Sequence, residues 1–407
     1  MPPDEPLPLG ETFAGAYRPV RILGSGGMGV VYLAEVDLER FDWALLVAHR
    51  ERGRGGTREA QQSRRVERLE LWRRRSREEL LEVVREKCIP NPGSGLAALK
   101  VLTRPRQIHR FEAEWQGLVA VDHPNLIAVY GGGVAEDATS YYSMEYVPDP
   151  IPAERLPSAL SLTEKLQVVG DAARGLAALH ERGLIHRDVK VSNLIVRRED
   201  GVLRTKVTDL GLGKDQLRSD PLTATREVLG TPNYMAPEQF RASREVDARS
   251  DVYSLGGVLY ALLAGRMPYE DLPVLEMARA VLEGTPPAPI GAPGVPEEIE
   301  RLVRSMMATA ASDRPASMVE VVASVESVLA RSVDETRQSG PRPAVGALPT
   351  PATATPAPEP TPAAEPPPRT ASVRRTREWP RFRARSAAAF VAVLAAVAAG
   401  RVVPSLA

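Results

Sequence analysis

Two short stretches carry the residue types for one kind of chemistry. The run LIHRDVKVSNLIV (184–196) holds Asp188 and Asn193 five positions apart, in a polar loop bounded by apolar residues. In KVTDLGLGK (206–214), Asp209 stands at a strand end, two residues before Gly211. Phosphoryl transfer from a nucleotide requires a carboxylate that takes the proton of an attacking hydroxyl. It also requires oxygen ligands for a divalent cation, and a cation on the phosphates. Asp188, Asn193, Asp209 and a lysine would supply that set.

A third stretch, GSGGMGVVYLAEV (24–36), adds glycines at Gly24, Gly26 and Gly29. This spacing also marks dinucleotide folds, but there the glycines follow a strand and open a helix. Here VVYLAEV reads as a second strand, so the glycines form a hairpin turn. Without side chains, its N–H groups can approach phosphate oxygens. The lysine is displaced: the chain has only six, and none follows the hairpin until Lys87 and Lys100. Lys87 sits in a charged helical run, whereas Lys100 sits in GLAALKVL, the pattern of a buried strand.

These motifs need elements to position them. Residues 17–36 read as strand, glycine turn, strand. From about 39 to 92 the character changes: Arg50–Lys87 holds 13 basic and 8 acidic residues, with Val66, Leu69, Leu80, Val83 and Val84 at helical spacing. That Arg-rich helix is expected to be a solvated face, with a docking or regulatory surface as the sharper alternative. NPGSG (91–95) ends it, and further strand signals follow in LAALKVL, HPNLIAVYGGGV and SYYSMEYV. From Leu162 to about Leu329 the signals are mostly helical, which makes the fold class α+β: a small β-rich half and a larger α-rich half.

Bulk properties narrow the field. At 407 residues with 52 basic and 52 acidic side chains, net charge gives no argument for nucleic-acid binding, and none is expected. A single cysteine, Cys88, excludes an internal disulfide framework, and the five histidines show no metal-ligand spacing. The start, MPPDEPLPLGET, has no apolar run and is not expected to be a secretory signal.

The ordered set resembles the bacterial eukaryotic-type (Hanks-type) serine/threonine protein kinases over about residues 17–330. The resemblance implies a two-lobed fold with a kinase domain at 17–331: an N-lobe at 17–147, interrupted by a helical insertion at about 39–92, and a C-lobe at 148–331. It implies that Asp188 is the catalytic base, that Lys190 contacts the γ-phosphate, and that Asn193 and Asp209 hold Mg²⁺, with Mn²⁺ as a substitute. AALK matches the family's Ala-x-Lys and selects Lys100 over Lys87; Glu114 of RFEAEW is its expected ion-pair partner. ATP would be held by Leu23, Gly24, Ser25, Gly26, Gly27, Met28, Gly29 and Val31 of the hairpin. Ala98, Met144, Glu145, Val147 and Ile195 would surround the adenine, with Met144 guarding the back of the pocket. GTPNYMAPEQ (230–239) is similar to the substrate-proximal segment, and Arg314 to the arginine that pairs with Glu238. Asp251 resembles the helix-start aspartate that braces the catalytic loop.

Lys190 with Thr231 implies the serine/threonine class. Arg187 implies control through the activation loop, with Thr223 and Thr225 as candidate phosphorylation sites, modified by a second copy of the chain in trans. Leu210 stands where the family has Phe, and Val191 where it has Pro; neither change removes a reacting group. The chain is therefore expected to be an active protein kinase rather than a pseudokinase scaffold that recruits signalling partners.

Beyond the domain, residues 332–368 read as a disordered Pro/Ala/Thr-rich linker. Seven arginines follow in 369–385, then the apolar run AAAFVAVLAAVAAG at 387–400. The expectation is a single C-terminal transmembrane helix at 386–406, with the arginines keeping the kinase domain cytoplasmic at the inner membrane. The run is short of the roughly 20 apolar residues a span requires, and an interfacial or soluble helix is the rival.

Overall fold

The computed structural model describes residues 6–26, 29–50, 67–87, 89–90, 92–103, 118–119, 121–210, 232–241 and 246–338. The expectations placed on Gly27, Met28, Glu114, Thr223, Thr225 and Thr231 lie outside these residues, as do those for the Arg-rich and apolar segments of the tail. Among the described residues, no helix is long and apolar enough to cross a membrane.

Five antiparallel strands form one sheet: β1 (Tyr17–Gly26), β2 (Gly29–Val36), β3 (Leu96–Leu102), β4 (Val129–Val134) and β5 (Ser140–Met144), in the order β1-β2-β3-β5-β4. Alternation along β3 sorts its side chains to two faces. Ala98 and Leu102 join a core that continues into the helical half, while Ala97, Leu99 and Val101 join a second core on the other side. Lys100 shares the first face and is buried.

The second core contains the insertion. Between β2 and β3 run α1 (Trp43–Arg50), a helical stretch at 67–73, and α2 (Arg77–Glu86). Trp43, Leu46 and Val47 of α1 and Leu80 and Val84 of α2 pack with Tyr32, Leu99 and Val101 of the sheet. This corrects the expectation of a solvated face. Only the charged side of α2 faces water, and its Leu80/Val84 stripe is buried, because residues four apart share one side of a helix. Ser76 starts α2 with a reciprocal cap: Glu79 N–H donates to its Oγ at 3.2 Å, and Ser76 N–H donates to Glu79 Oε2 at 2.7 Å.

The helical half is built on α3 (Leu162–His180) and α4 (Ala248–Ala264). The inward stripe of α3, Leu166, Val169, Ala173 and Leu176, is buried. Apart from its ends α4 is buried all round, and Gly265 at φ 70° terminates it. Around them lie α5 (Val274–Glu283), α6 (Glu297–Met306) and α7 (Met318–Gln338). The last helix runs past the boundary expected at 331, since no Gly or Pro interrupts the chain before Gly340. A two-stranded hairpin, β6 (Leu194–Glu199) and β7 (Val202–Val207), sits between the halves.

Candidate active site

The loop before β6 is held from below by one buried carboxylate. Asp251, in the first turn of α4, accepts from His186 N–H at 2.8 Å and Arg187 N–H at 2.7 Å, and lies 2.7 Å from His180 Nε2. These bonds fix Arg187 at φ 64°, a left-handed conformation that costs a non-glycine residue about 1–3 kcal/mol. His186 Nε2 lies 3.0 Å from the Thr208 carbonyl, which ties the loop to the segment after β7.

Upon this base the chemically capable groups form a continuous chain. Lys190 Nζ donates to Asp188 Oδ2 at 2.9 Å. Asn193 Nδ2 donates to the Asp188 carbonyl at 2.9 Å and reaches Asp188 Oδ2 at 3.4 Å and the Asp209 carbonyl at 3.5 Å. Lys100 Nζ donates to Asp209 Oδ1 at 2.8 Å. Five residues from β3, the loop and the end of β7 thus meet at the junction of the halves. Asp209 is itself held at φ 57°. Burial pushes its carboxyl up, and the Lys100 charge and hydrogen bond outweigh this, holding it below the usual carboxylate range.

Lys100 faces Val31 on β2 and Tyr142 on β5 in the sheet register. Lys87 is elsewhere: it caps α2, with its ammonium 5.8 Å from the Trp72 ring centroid. Around Lys100, Ala98 and Met144 are paired in register and buried, while Val31, Val147 and Ile195 are partly buried against the same core. That is a half-open apolar surface spanning both halves, of the kind a purine ring can cover. Leu23 is exposed on β1.

The glycines differ in their reasons. A Cβ at Gly29 would collide with the Val101 backbone, so sheet packing alone demands glycine there. At Gly24 and Gly26 a Cβ would meet nothing within 4 Å among the described residues. Packing against the described residues does not require glycine at these two positions, whereas close approach of a phosphate would. Ser25, between them, pairs with Val30. The donor set also suits a hard cation. Among the described residues, no three His, Cys, Asp or Glu side chains gather as a metal cage. Mg²⁺ takes one or two protein oxygens and completes its shell from phosphates and water, and Asp209 beside Asn193 fits that role.

Arg314 and Glu238 form a buried pair. Arg314 NH1 and NH2 donate to the two Glu238 oxygens, and Ser250 Oγ adds a third donor at 2.6 Å. Gln239, next in sequence, donates to the Arg187 carbonyl at 3.1 Å and joins this segment to the loop. Gln239, Ser250 and Lys206, which pairs with Glu145 at 2.9 Å, were not singled out from sequence. The scarcity of lysine was the one signal that could have flagged Lys206.

The protein kinase domain family matches residues 83–325, beginning inside α2, past the glycine hairpin. The chain is 34% identical over 218 residues to serine/threonine-protein kinase PknB of Mycobacterium leprae, covering 52% of this chain and 34% of that protein. It is 34% identical over 237 residues to serine/threonine-protein kinase pkn3 of Myxococcus xanthus, covering 56% and 43%. It is 29% identical over 298 residues to serine/threonine-protein kinase PrkC of Bacillus subtilis, covering 72% and 38%. The chain therefore spans less than half the length of these curated relatives. The family match extends over well more than half of the chain and includes the loop, β7 and the Glu238–Arg314 pair, so the chain belongs to the protein kinase family.

Proposed function

We propose that this protein transfers the γ-phosphate of Mg·ATP to serine or threonine hydroxyls of proteins, its own activation segment included. The observation that carries the reading is the unbroken chain Lys100–Asp209–Asn193–Asp188–Lys190. In that reading Asp188 accepts the proton of the acceptor hydroxyl as its oxygen attacks. The adjacent Lys190 ammonium, 2.9 Å from the Asp188 carboxylate, offsets negative charge beside it. Asn193 and Asp209 hold the metal, Lys100 steadies the phosphates, and the Gly24–Gly29 hairpin covers them. When bound, Mg·ATP supplies the phosphoryl group, with the metal neutralising charge on its oxygens.

The serine/threonine preference rests on Lys190 and on the names of the relatives, which are serine/threonine-protein kinases. Thr223 and Thr225 are the proposed self-modified sites, with Arg187 receiving the phosphate and Thr231 facing the acceptor. The Arg-rich 369–385 segment and the apolar 387–400 run are proposed to tether the domain to the inner face of a membrane.

Labelled Mg·ATP, supplied to phosphatase-treated protein, tests the reading. Label at Thr223 or Thr225 in the wild type, lost in Lys100→Ala and in Asp188→Asn, supports it. Incorporation surviving Lys100→Ala means that the lysine is wrongly assigned. No label despite retained nucleotide binding means a pseudokinase scaffold.

A further inference from the structure

We infer that Lys206 and Glu145 form a strut fixing the hinge, the segment that leaves β5 at Glu145 and links the two halves, against β7, the strand that leads to Asp209, and that Lys206 is thereby a positioning residue for the nucleotide. The inference rests on the proposed nucleotide site, but its equilibrium readout does not depend on phosphate transfer.

Lys206 lies on β7, three residues before Asp209, and Glu145 directly follows β5. Their side chains are 23% and 27% exposed, and Lys206 Nζ stands 2.9 Å from Glu145 Oε2. The same oxygen accepts from Ala128 N–H at 3.3 Å, and Glu145 N–H donates to the Ala128 carbonyl at 2.7 Å. The Glu145 peptide is therefore gripped through both its backbone and its side chain.

The other end of the strut is rigid as well. Ile127 N–H donates to the Val207 carbonyl, and Val207 N–H to the Asn125 carbonyl, each at 2.9 Å. Asn125 Nδ2 adds a bond to the Thr205 carbonyl at 3.0 Å. Residues 125–128 are thus laced to β7 by backbone bonds and to the hinge through Ala128. The ion pair closes the triangle, and any tilt of the hinge relative to Asp209 must stretch it.

The pair borders a cavity of about 290 Å³ lined also by Pro90, Asp122, His123 and Tyr130. Lys100, Asp188, Asn193 and Asp209 are absent from that lining, so the strut acts from outside the transfer site. Pro90 belongs to the return of the insertion toward β3, which brings the insertion to the same wall.

A charged pair that only stabilised the fold would change melting temperature and leave nucleotide affinity of the folded protein alone. A strut that sets the hinge changes affinity, and its two ends act as one unit. The experiment compares the full chain with Lys206→Met, Glu145→Gln, the double variant and the swap Glu145→Lys/Lys206→Glu. Mg·ADP is the probe, and dissociation constants are read by calorimetry below the melting temperature of every variant. Each single variant is expected to weaken Mg·ADP by about fivefold, the scale of contacting pairs. The double should be no weaker than either single, and the swap, which loses the carboxylate that accepts from Ala128 N–H, should still bind more tightly than either single. Unchanged affinity in the singles, or a double equal to the product of the singles, overturns the proposal. The coupled pattern in a protein that transfers no phosphate would support the strut and sink the kinase reading instead.

Discussion

Arg314 and Glu238, 76 residues apart, meet through parallel hydrogen bonds of 2.7 and 2.8 Å, with the guanidinium fully out of solvent. The remaining donors of Arg314 go to the carbonyls of Ala308, Arg249 and Thr309, and its guanidinium carbon lies 5.0 Å from the Tyr253 ring centroid. Removing one partner strands the other charge in the interior. Arg314→Met should cost about 3–5 kcal/mol, and Arg314→Lys should recover little because the planar fork is lost. Thermal unfolding of the three proteins checks this.

The same pair dictates a pH dependence. Burial pushes the Glu238 carboxyl up, and the hydrogen bonds from Arg314 and Ser250 outweigh that and hold it below its ordinary value. A carboxyl lowered by folding binds more protons when unfolded, so its stabilisation is complete above the unfolded value of about 4.3. It drains away as pH falls through the lower, folded value. Melting temperature should therefore drop more steeply below about pH 4.3 in the wild type than in Glu238→Gln.

Lys100 and Asp188 should separate binding from chemistry. Asp188→Asn should lower kcat by about 10²–10⁴-fold with nucleotide affinity nearly intact, the usual scale for a general base. Lys100→Met removes the cation beside Asp209 and, in the proposed reading, the one on the phosphates, and should raise KM for ATP as well as lower kcat. Steady-state kinetics on a protein substrate reads both.

The insertion can be probed by one pair of leucines. Leu46 is fully buried against the sheet, and Leu71 is 58% exposed. Leu46→Ala should cost about 2–5 kcal/mol of stability through the cavity it leaves. Leu71→Ala should stay within about 0.5 kcal/mol, as surface changes do. Chemical denaturation of both variants tests the assignment of buried and exposed sides.

Gly29 and Gly24 should fail in different ways. Gly29→Ala drives a methyl into the Val101 backbone and should destabilise the sheet. Gly24→Ala meets no atom of the described residues, so it should leave the melting temperature unchanged and weaken nucleotide binding. Calorimetry on both variants distinguishes the two kinds of glycine.

Much of this architecture is legible in the chain. The near-continuous apolar run of GLAALKVL and the flanking apolar residues of HRDVKVSN place Lys100 and Asp188 on a strand and a loop, because a strand covered on both faces reads as an apolar run. What sequence left unread depends on long-range contact. The positive φ of Arg187 exists because Asp251 holds its N–H, 64 residues away. Lys206 and Glu145 carry no local mark of their pairing. The insertion misled for another reason: its charges outnumber its apolar residues, yet a narrow Leu80/Val84 stripe suffices to seat a helix whose other sides are wet.

The seat beneath that stripe constrains how this chain can change. Tyr32, Leu99 and Val101 are apolar on the face that α1 and α2 cover. Deleting residues 39–92 would shorten the connection between two neighbouring strands and, in the same stroke, bare a contiguous oily patch. Such a patch invites self-association unless the strand residues become polar at the same time. Gaining a covering element takes one event, whereas losing it takes several coordinated ones. The insertion and the strands beneath it are therefore bound together: removing the cover alone would cost solubility as well as stability.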